Sequence, residues 1–537
     1  MQGVGRQRET HRMVVLSGVS IVKAEPLRLP CAPWNQMSGD IPLRSGDVYP
    51  LGVCCRPCPS PIESSMPEPE ESLSIPPGPI EEATLGWHPA PSVHLQVLLL
   101  AIPVLAEQFF SFLVVLYDTY LSGHLPGGES AGTTAATAAI GIGAYISWLA
   151  NMMFMITSTG TLALVSRARG RGDEAEANTI VGRSLALAIS MGLLFALVMI
   201  PCAPLFVAIT GLSPEASRIA VRFIQLDAVG EIFTAITLCG SAAFRGCGTM
   251  RVPLWILAAV SVVNMLASYS LVHGLGPLPV LGVDGIVVGT MLARILGGLL
   301  MLAALRYGYR GLRLSWSDVH WGGEHVTRLT RIGVPAALDG LILWSSHFLF
   351  VRVISQIGDT AFAAHIVGVN FEAITTMPAT AWGAAAATSI GMSLGAGDRE
   401  RAMRCGHAAA LQCLPVGILG TICFTVAAGP IYRLMTSSAE IQAVGVAAMP
   451  ILAYCQIPLV IGIVYIHGLR GAGETRLPLF LAIVSTAGLR TPIAYLCGIH
   501  WNGGLTGAWL GMLADVTVRG FLGAWLYSRG RWTKLKI

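Results

Sequence analysis

Arg245-Gly246-Cys247-Gly248-Thr249-Met250-Arg251-Val252-Pro253-Leu254 returns 225 residues later as Arg470-Gly471-Ala472-Gly473-Glu474-Thr475-Arg476-Leu477-Pro478-Leu479. At the same spacing Gly170-Arg171-Gly172-Asp173, with Ala177 behind it, returns as Gly395-Ala396-Gly397-Asp398 with Ala402. Gly282, Gly285 and Gly289 match Gly504, Gly507 and Gly511 at 222, and Pro103 matches Pro335 at 232. Several matches at nearly constant spacing mark a duplication, so the chain is built as two related halves.

What separates these motifs is apolar. Of 537 residues 53% are apolar and only 12% charged, about half the roughly 25% of soluble domains. The mean hydropathy is +0.65. So few charges cannot cover the surface of a soluble protein this large, which excludes an array of water-soluble domains. About 20 apolar residues are needed to cross a bilayer as a helix. Twelve such runs are expected at 93–122, 134–165, 183–209, 216–243, 252–273, 283–305, 332–357, 361–393, 405–429, 441–468, 477–498 and 506–528. They are far longer than the roughly ten residues of a barrel strand. The fold class is therefore an all-α polytopic membrane protein.

Basic residues give the orientation. The joints after spans 2, 4, 6, 8 and 10, together with the C-terminus, hold 20 Lys and Arg, whereas the intervening joints contribute only Arg218, Arg222 and Arg433. Both termini are expected in the cytoplasm, in the inner membrane. Six spans per half is an even number, so both halves enter from the same side and form parallel repeats around a central cleft. That architecture favours a transporter over a channel or a membrane enzyme.

The expected organisation is a disordered extension over 1–90, an N-terminal six-helix lobe over 91–310, a cytoplasmic linker over 311–331, and a C-terminal six-helix lobe with a short basic tail over 332–537. The extension is rich in Pro, Ser and Glu, without helical or strand period. Met13 to Val22 superficially suggests a signal peptide but is short and lacks a small-residue cleavage site. The alternative is a start called too far upstream, with Met66 as the true start. Most of the twelve cysteines lie singly in apolar stretches. Cys54, Cys55 and Cys58 cluster, yet no His or second CxxC pair completes a metal site with them.

In the repeated joints Gly172 and Gly397 permit tight turns, Asp173 and Asp398 can cap the following helix, and Arg245 and Arg470 can anchor near headgroups. A structural role is the more economical one for these.

Ionisable groups at membrane depth are costly and are functional candidates. Asp118 lies near the outer end of span 1. Span 5 carries Asn264 and, one turn on, Ser268; span 6 carries Thr290. A carboxylate with amide and hydroxyl oxygens is a set for a small hard cation, or for a titrating carboxyl. Glu107 and Asp339 stand four residues after Pro103 and Pro335 and form a symmetric pair expected either to line the cleft or to pair with a buried Arg or backbone group. Asp227 and Glu231, one turn apart in span 4, can attract a cationic substrate; if Arg294 pairs with either, the cluster is structural. Asp515 and Arg519, spaced i, i+4, are expected to neutralise one another. Asn370 and Glu372 are expected to face the cleft. His347, His365 and His467 read as satisfied interior histidines. Met152, Met153, Met155, Tyr145, Trp148, Trp344 and Trp382 suit a plastic apolar wall, although packing against lipid is the simpler assignment for any one.

The layout resembles the multidrug and toxic compound extrusion (MATE) transporters over roughly 93–528. The resemblance rests on Ala101-Ile102-Pro103 fifteen residues before Asp118-Thr119, the Gly-rich joints with Asp173 and Asp398, the two Arg-Gly-x-Gly-x-x-Arg-x-Pro segments, and Gly282-Val283-Asp284-Gly285 before Thr290. It implies that Asp118 binds the coupling Na⁺ or H⁺, with Asn264, Ser268 and Thr290 as neighbours. If the ion is Na⁺, Asp118 and Asn264 are the expected metal ligands. Ser268 stands where some members carry a carboxylate, which leaves proton coupling open. One branch carries a Glu eight residues after the span-7 proline; here that position is Leu343, so the chain looks closer to the DNA-damage-inducible protein F-like branch.

The expected function is a secondary active, cation-coupled antiporter exporting lipophilic, cationic organic compounds by alternating access. It is expected to act as a monomer amid membrane lipids, without a cofactor other than the coupling ion and without nucleic acid. Three lysines in the whole chain and no Walker-type loop argue against ATP hydrolysis, and no HExxH helix is present, so an enzyme is not expected. The alternative transporter is a lipid-linked saccharide flippase of the same superfamily, which needs an interior basic enough for pyrophosphate; this interior reads as richer in carboxylates than in Arg. A membrane-embedded enzyme or receptor would need a clustered catalytic set or a large ectodomain.

Overall fold

The computed structural model describes residues 92–123, 130–210, 212–275, 279–535 and 537. The N-terminal extension, with Cys54, Cys55, Cys58, Met66 and the run Met13–Val22, lies outside the described residues.

Among the described residues, twelve long helices carry the fold. In the first lobe they are α1 Val93–Gly123, α2 Ser130–Arg171, α3 Glu174–Ala208, α4 Pro214–Gly246, α5 Arg251–His273 and α6 Val283–Tyr307. In the second they are α7 Glu324–Ile357, α8 Asp359–Gly395, α9 Arg399–Val426, α10 Ala439–Gly471, α11 Arg476–His500 and α12 Gly504–Ser528. A short helix, Ala428–Met435, follows α9. Among the described residues no strand forms. Nine of the long helices are apolar enough to cross a membrane by length and composition; α4, α8 and α12 are not in that set, α4 because charges such as Asp227 and Glu231 interrupt it. Helix α7 begins at Glu324, so its first two turns occupy sequence assigned to the linker.

The joints explain where helices start. Gly172 and Gly397 turn the chain at φ 78° and 80°, a region costly for any residue with a Cβ. The next side chain then caps the new helix: Glu176 N donates to Asp173, and Arg401 N to Asp398, both at 2.8 Å. Such caps stabilise by about 1 kcal/mol each. Being polar, they let α3 and α9 begin outside the apolar core.

Each lobe has its own core. In the first, Leu164, Ile180, Leu185 and Phe244 pack α2, α3 and α4 together; in the second, Phe350, Tyr432, Leu452 and Trp509 do so around α7, α10 and α12. Lipid is as apolar as these side chains, so close packing rather than transfer from water holds the helices together. The outward side chains Leu197, Val426 and Phe521 are accordingly exposed and apolar.

Helix α11 is not uniformly wound. Ala482–Arg490 and Leu496–His500 are π-helical around a short α segment, Thr491–Tyr495, whereas its repeat-mate α5 is α-helical throughout. Gly488, Pro492 and Gly498 fall in this stretch, and Pro492 withdraws a donor from the ladder.

The lobes meet along α2, which packs on α7 and α8, and along α1, which packs on α8 and α9. The approach is close both within the bundle, where Gly333 lies against the main chain of Ile156, and at the arginine-rich ends. Gly395 lies against the main chain of Arg167, and Gly170 against that of Met392, so tightly that a Cβ on either glycine would overlap it. Arg167 donates across the seam to the carbonyls of Ala472 and Leu535, each at 2.8 Å. Arg328 donates to Glu176 at 3.1 Å and to the carbonyl of Ile537 at 2.9 Å. At its other end α1 leaves Val115, Leu116 and Tyr120 exposed.

Candidate functional site

In the first lobe α5 and α6 run antiparallel and bring two predicted residues into contact: Asn264 Nδ2 donates to Thr290 Oγ1 at 3.0 Å. Thr290 and Ser268 both reach the carbonyl of Ile286, at 3.0 and 3.4 Å. Helix α1 joins this pair through Leu121 and Tyr117, which pack on Val272 and Ile286. Asp118 sits one turn before Leu121, as Ser268 sits one turn before Val272 and Thr290 one turn after Ile286, so the three helices present these polar residues in one layer. Asp118 Oδ1 and Asn264 Oδ1 are both buried and receive no hydrogen bond from the protein. Two such oxygens are suited to a proton or a hard cation.

Beside them, Arg294 on α6 pairs with Asp227 at 2.8 Å and Glu231 at 2.6 Å, while Ser147 Oγ donates to Asp227 Oδ2 at 2.8 Å. Glu231 Oε2 remains without a donor. Arg294 and Asp227 are also the charged groups that act on Asp118. Arg294 thus pairs with both span-4 acids, the arrangement under which they are read as structural, while one guanidinium against Asp118, Asp227 and Glu231 leaves this cluster acidic.

The second lobe is different. Asp339 pairs with Arg470 and, at 3.1 Å, with Arg519; Asp515 pairs with Arg490 at 2.7 Å and accepts from Thr486 at 3.0 Å. A cavity of 360 Å³ opens beside these pairs, lined by Arg470, Arg490, Arg519 and Asp515 together with Trp148, Leu343 and His347.

This geometry corrects several expectations. Glu107 and Asp339 do not stand free in a cleft: each is buried and bound to an arginine, Glu107 to Arg245 and Asp339 to Arg470. Those arginines, expected at headgroups, turn inward because a buried carboxylate is costlier to leave unpaired than a guanidinium is to withdraw from water. Asp515 and Arg519 do not neutralise one another, since Arg490 and Asp339 are nearer partners. Carboxylates do outnumber arginines among these inward groups, but the excess lies in the first lobe, where Glu107, Asp118, Asp227 and Glu231 face Arg245 and Arg294, whereas in the second Asp339, Asp515 and Glu372 are matched by Arg470, Arg490 and Arg519. Asn370 is exposed on α8, and Glu372 is half-buried within electrostatic reach of Arg490. Met152 and Met155 press on Gly340 of α7 rather than on lipid. His365 accepts from Trp509 at 3.2 Å and His467 bonds the carbonyl of Ile463 at 2.8 Å.

Arg490 was invisible to the repeat motifs, yet the rule that singles out Arg294, a charge deep in an apolar run, applies equally to it. Ser147 carries no comparable signal, because a lone serine in a span bonds its own helix as readily.

The MatE family model matches the chain twice, over 103–270 and 335–496. The chain is 25% identical over 454 residues, 83% of its length and 94% of the relative's, to "Probable multidrug resistance protein NorM" of Thermotoga maritima. It is 28% identical over 444 residues, 78% of its length and 89% of the relative's, to the protein of the same name of Bradyrhizobium diazoefficiens. In fold it is similar to a crystal structure of MATE in the straight conformation, with a TM-score of 0.74 at 19% identity over 82% of this chain and 97% of that one.

The chain belongs to the MatE family, and it is an integral membrane transporter rather than an enzyme. The relatives named carry the NorM name, and the expectation of a DNA-damage-inducible protein F-like branch rests on Leu343 alone.

Proposed function

We propose that the protein is a cation-coupled multidrug exporter of the inner membrane, with both termini in the cytoplasm. Asp118 takes up H⁺ or Na⁺ with Asn264, Ser268 and Thr290 beside it, and the cation's arrival displaces a lipophilic, cationic organic substrate. The observation that carries this reading is the pair of undonated oxygens, Asp118 Oδ1 and Asn264 Oδ1, in the layer where Asn264 holds Thr290. The names of the relatives favour export of drugs over the flippase reading.

Exchange requires that cation and substrate each weaken the other's binding. The acidic first-lobe cluster supplies that antagonism, because Asp118, Asp227 and Glu231 attract a cation of either kind while Arg294 limits how many they can hold. The lobes are closed on each other at the arginine-rich ends, which supports an outward-open state of an alternating-access cycle. The test is the Asp118→Asn variant in liposomes loaded with a fluorescent organic cation, with Na⁺ and pH gradients imposed separately. Loss of gradient-driven efflux with the variant still inserted is expected, and the gradient that drives the wild type names the ion. Undiminished efflux would remove Asp118 from the mechanism.

A further inference from the structure

The duplication allows the two lobes to be compared position by position, and their charges have diverged. At the 225 spacing, Asp227 and Glu231 become Leu452 and Gln456; at 232, Asp118 becomes Phe350. Asn264 becomes Leu489, beside Arg490. All the carboxylates of the first-lobe cluster are thus replaced in the second, and arginines appear that have no counterpart: at 222, Arg519 matches Gly297, and at 225 Arg490 matches Met265.

Arg470, Arg490 and Arg519 share one cavity wall with a single aspartate, Asp515. Their side chains are 11%, 14% and 13% exposed, so water does not satisfy them freely. A guanidinium carries five N–H donors. Against the fifteen of this trio, side-chain acceptors take few: Asp339 binds Arg470 and Arg519, Asp515 binds Arg490, and Thr486 lies 3.4 Å from Arg519. Arg470 Nε and Arg490 Nε are buried and meet no acceptor in the protein. A buried donor left unmade costs about 1–3 kcal/mol, more when charged, so an arrangement that only needed to neutralise Asp339 and Asp515 would not retain three arginines. Three further titratable neighbours stand at the site, Glu372 within reach of Arg490 and His347 and His467 in the wall; Glu372 is outside the lining, so the charged surface a ligand meets is three arginines against Asp515. The rest of that surface is apolar, from Trp148, Leu343, Leu459, Ile463, Ile466 and Val516.

We propose that the second-lobe cavity is a binding site for an amphiphilic oxyanion, a carboxylate or phosphate on an apolar body, held by Arg470, Arg490 and Arg519. The planar fork of arginine matches an oxyanion with paired hydrogen bonds, and the apolar wall takes the body. Helix α11 supplies Arg490 from the end of its π-wound stretch, a winding that often marks functional positions. The site is independent of Asp118 and of the cation-coupled reading, since binding is measured without a gradient.

The test is calorimetric titration of the purified full-length protein in nanodiscs with 4-phenylbutyrate, 4-phenylbutylamine and 4-phenylbutanol. The anion is expected to bind saturably and at least tenfold more tightly than the amine or the alcohol. Arg490→Gln, and Arg490→Gln with Asp515→Asn to keep the local charge balanced, are each expected to weaken it at least tenfold. Repeating the titration with phosphatidylglycerol in the disc separates the sources: competition assigns the site to a lipid headgroup, and undiminished binding assigns it to a free organic anion, either of which supports the proposal. Equal or tighter binding of the amine by the wild type, or unchanged anion binding in both folded variants, would overturn it. The wild-type comparison of anion and amine decides the matter even if neither variant folds.

Discussion

Arg245 binds Glu107 in the first lobe, and Arg470 repeats the bond to Asp339 in the second. The two acids follow the two matching prolines by four residues each, and the two arginines open the two copies of the repeated joint. The pair therefore predates or accompanied the duplication as a unit: it ties the Pro-bearing helix of each lobe, α1 or α7, to the end of the fourth, α4 or α10.

Removing one member of such a pair should be severe. Glu107→Gln leaves the partly buried Arg245 without its counter-charge, a loss of about 3 kcal/mol. Thermal unfolding in detergent should show a large drop in the midpoint, and Glu107→Gln with Arg245→Met should recover much of it. An unchanged midpoint in the single variant would mean that the bond contributes nothing to stability.

Asn264→Ala takes away one undonated oxygen and the hydrogen bond to Thr290. A hydrogen bond of this kind contributes about 1 kcal/mol, so stability should change little. Gradient-driven efflux in liposomes, if Asn264 helps hold the cation, should fall by about five- to tenfold, with the concentration of driving cation needed for half-maximal rate shifted upward. A change in maximal rate alone would place Asn264 outside cation binding.

The capped joints should respond alike because they are alike. Asp173→Ala and Asp398→Ala each remove an N-cap and should cost about 1 kcal/mol. Gly172→Ala and Gly397→Ala force a Cβ into positive φ at a similar cost of about 1 kcal/mol. Matched midpoint losses in the two lobes are the expected result; a loss confined to one would show that the two joints do not share a role.

Gly395→Val sets a branched side chain against the main chain of Arg167, where even a Cβ overlaps. The lobes should part at this end, and a cysteine placed at Ser389, which is buried there, should react faster with a membrane-impermeant maleimide. Unaltered labelling would mean that the seam absorbs the added volume.

The fold was legible in the sequence because its two determinants are coarse: runs long enough to cross a bilayer, and motifs returning at almost one spacing. Asn264 meeting Thr290 was legible too, once the family resemblance fixed which polar residues to compare. Partner choice among the charges was not. The spacing of Asp515 and Arg519 made them neighbours on α12, but nearness on a helix says nothing about a third residue, Arg490, arriving from α11 at 2.7 Å. For Glu107 and Asp339 the choice between facing the cleft and pairing with a buried arginine stayed open, and the equally symmetric Arg245 and Arg470 were the residues to set against them. Side chains settle such matters by distance across the packed bundle, and distance is what a linear pattern lacks.

The wide winding of α11 has a mechanical corollary. Where the ladder already skips a residue, its hydrogen bonds can move along by one without any of them being lost for long, and the segment beyond turns about its own axis as they do. Arg490 hangs at the edge of that slack. The guanidinium can swivel relative to Asp515 while Pro478 and Gly503, near the two ends of the helix, stay where they are, giving the second lobe a bearing that the evenly coiled α5 does not have.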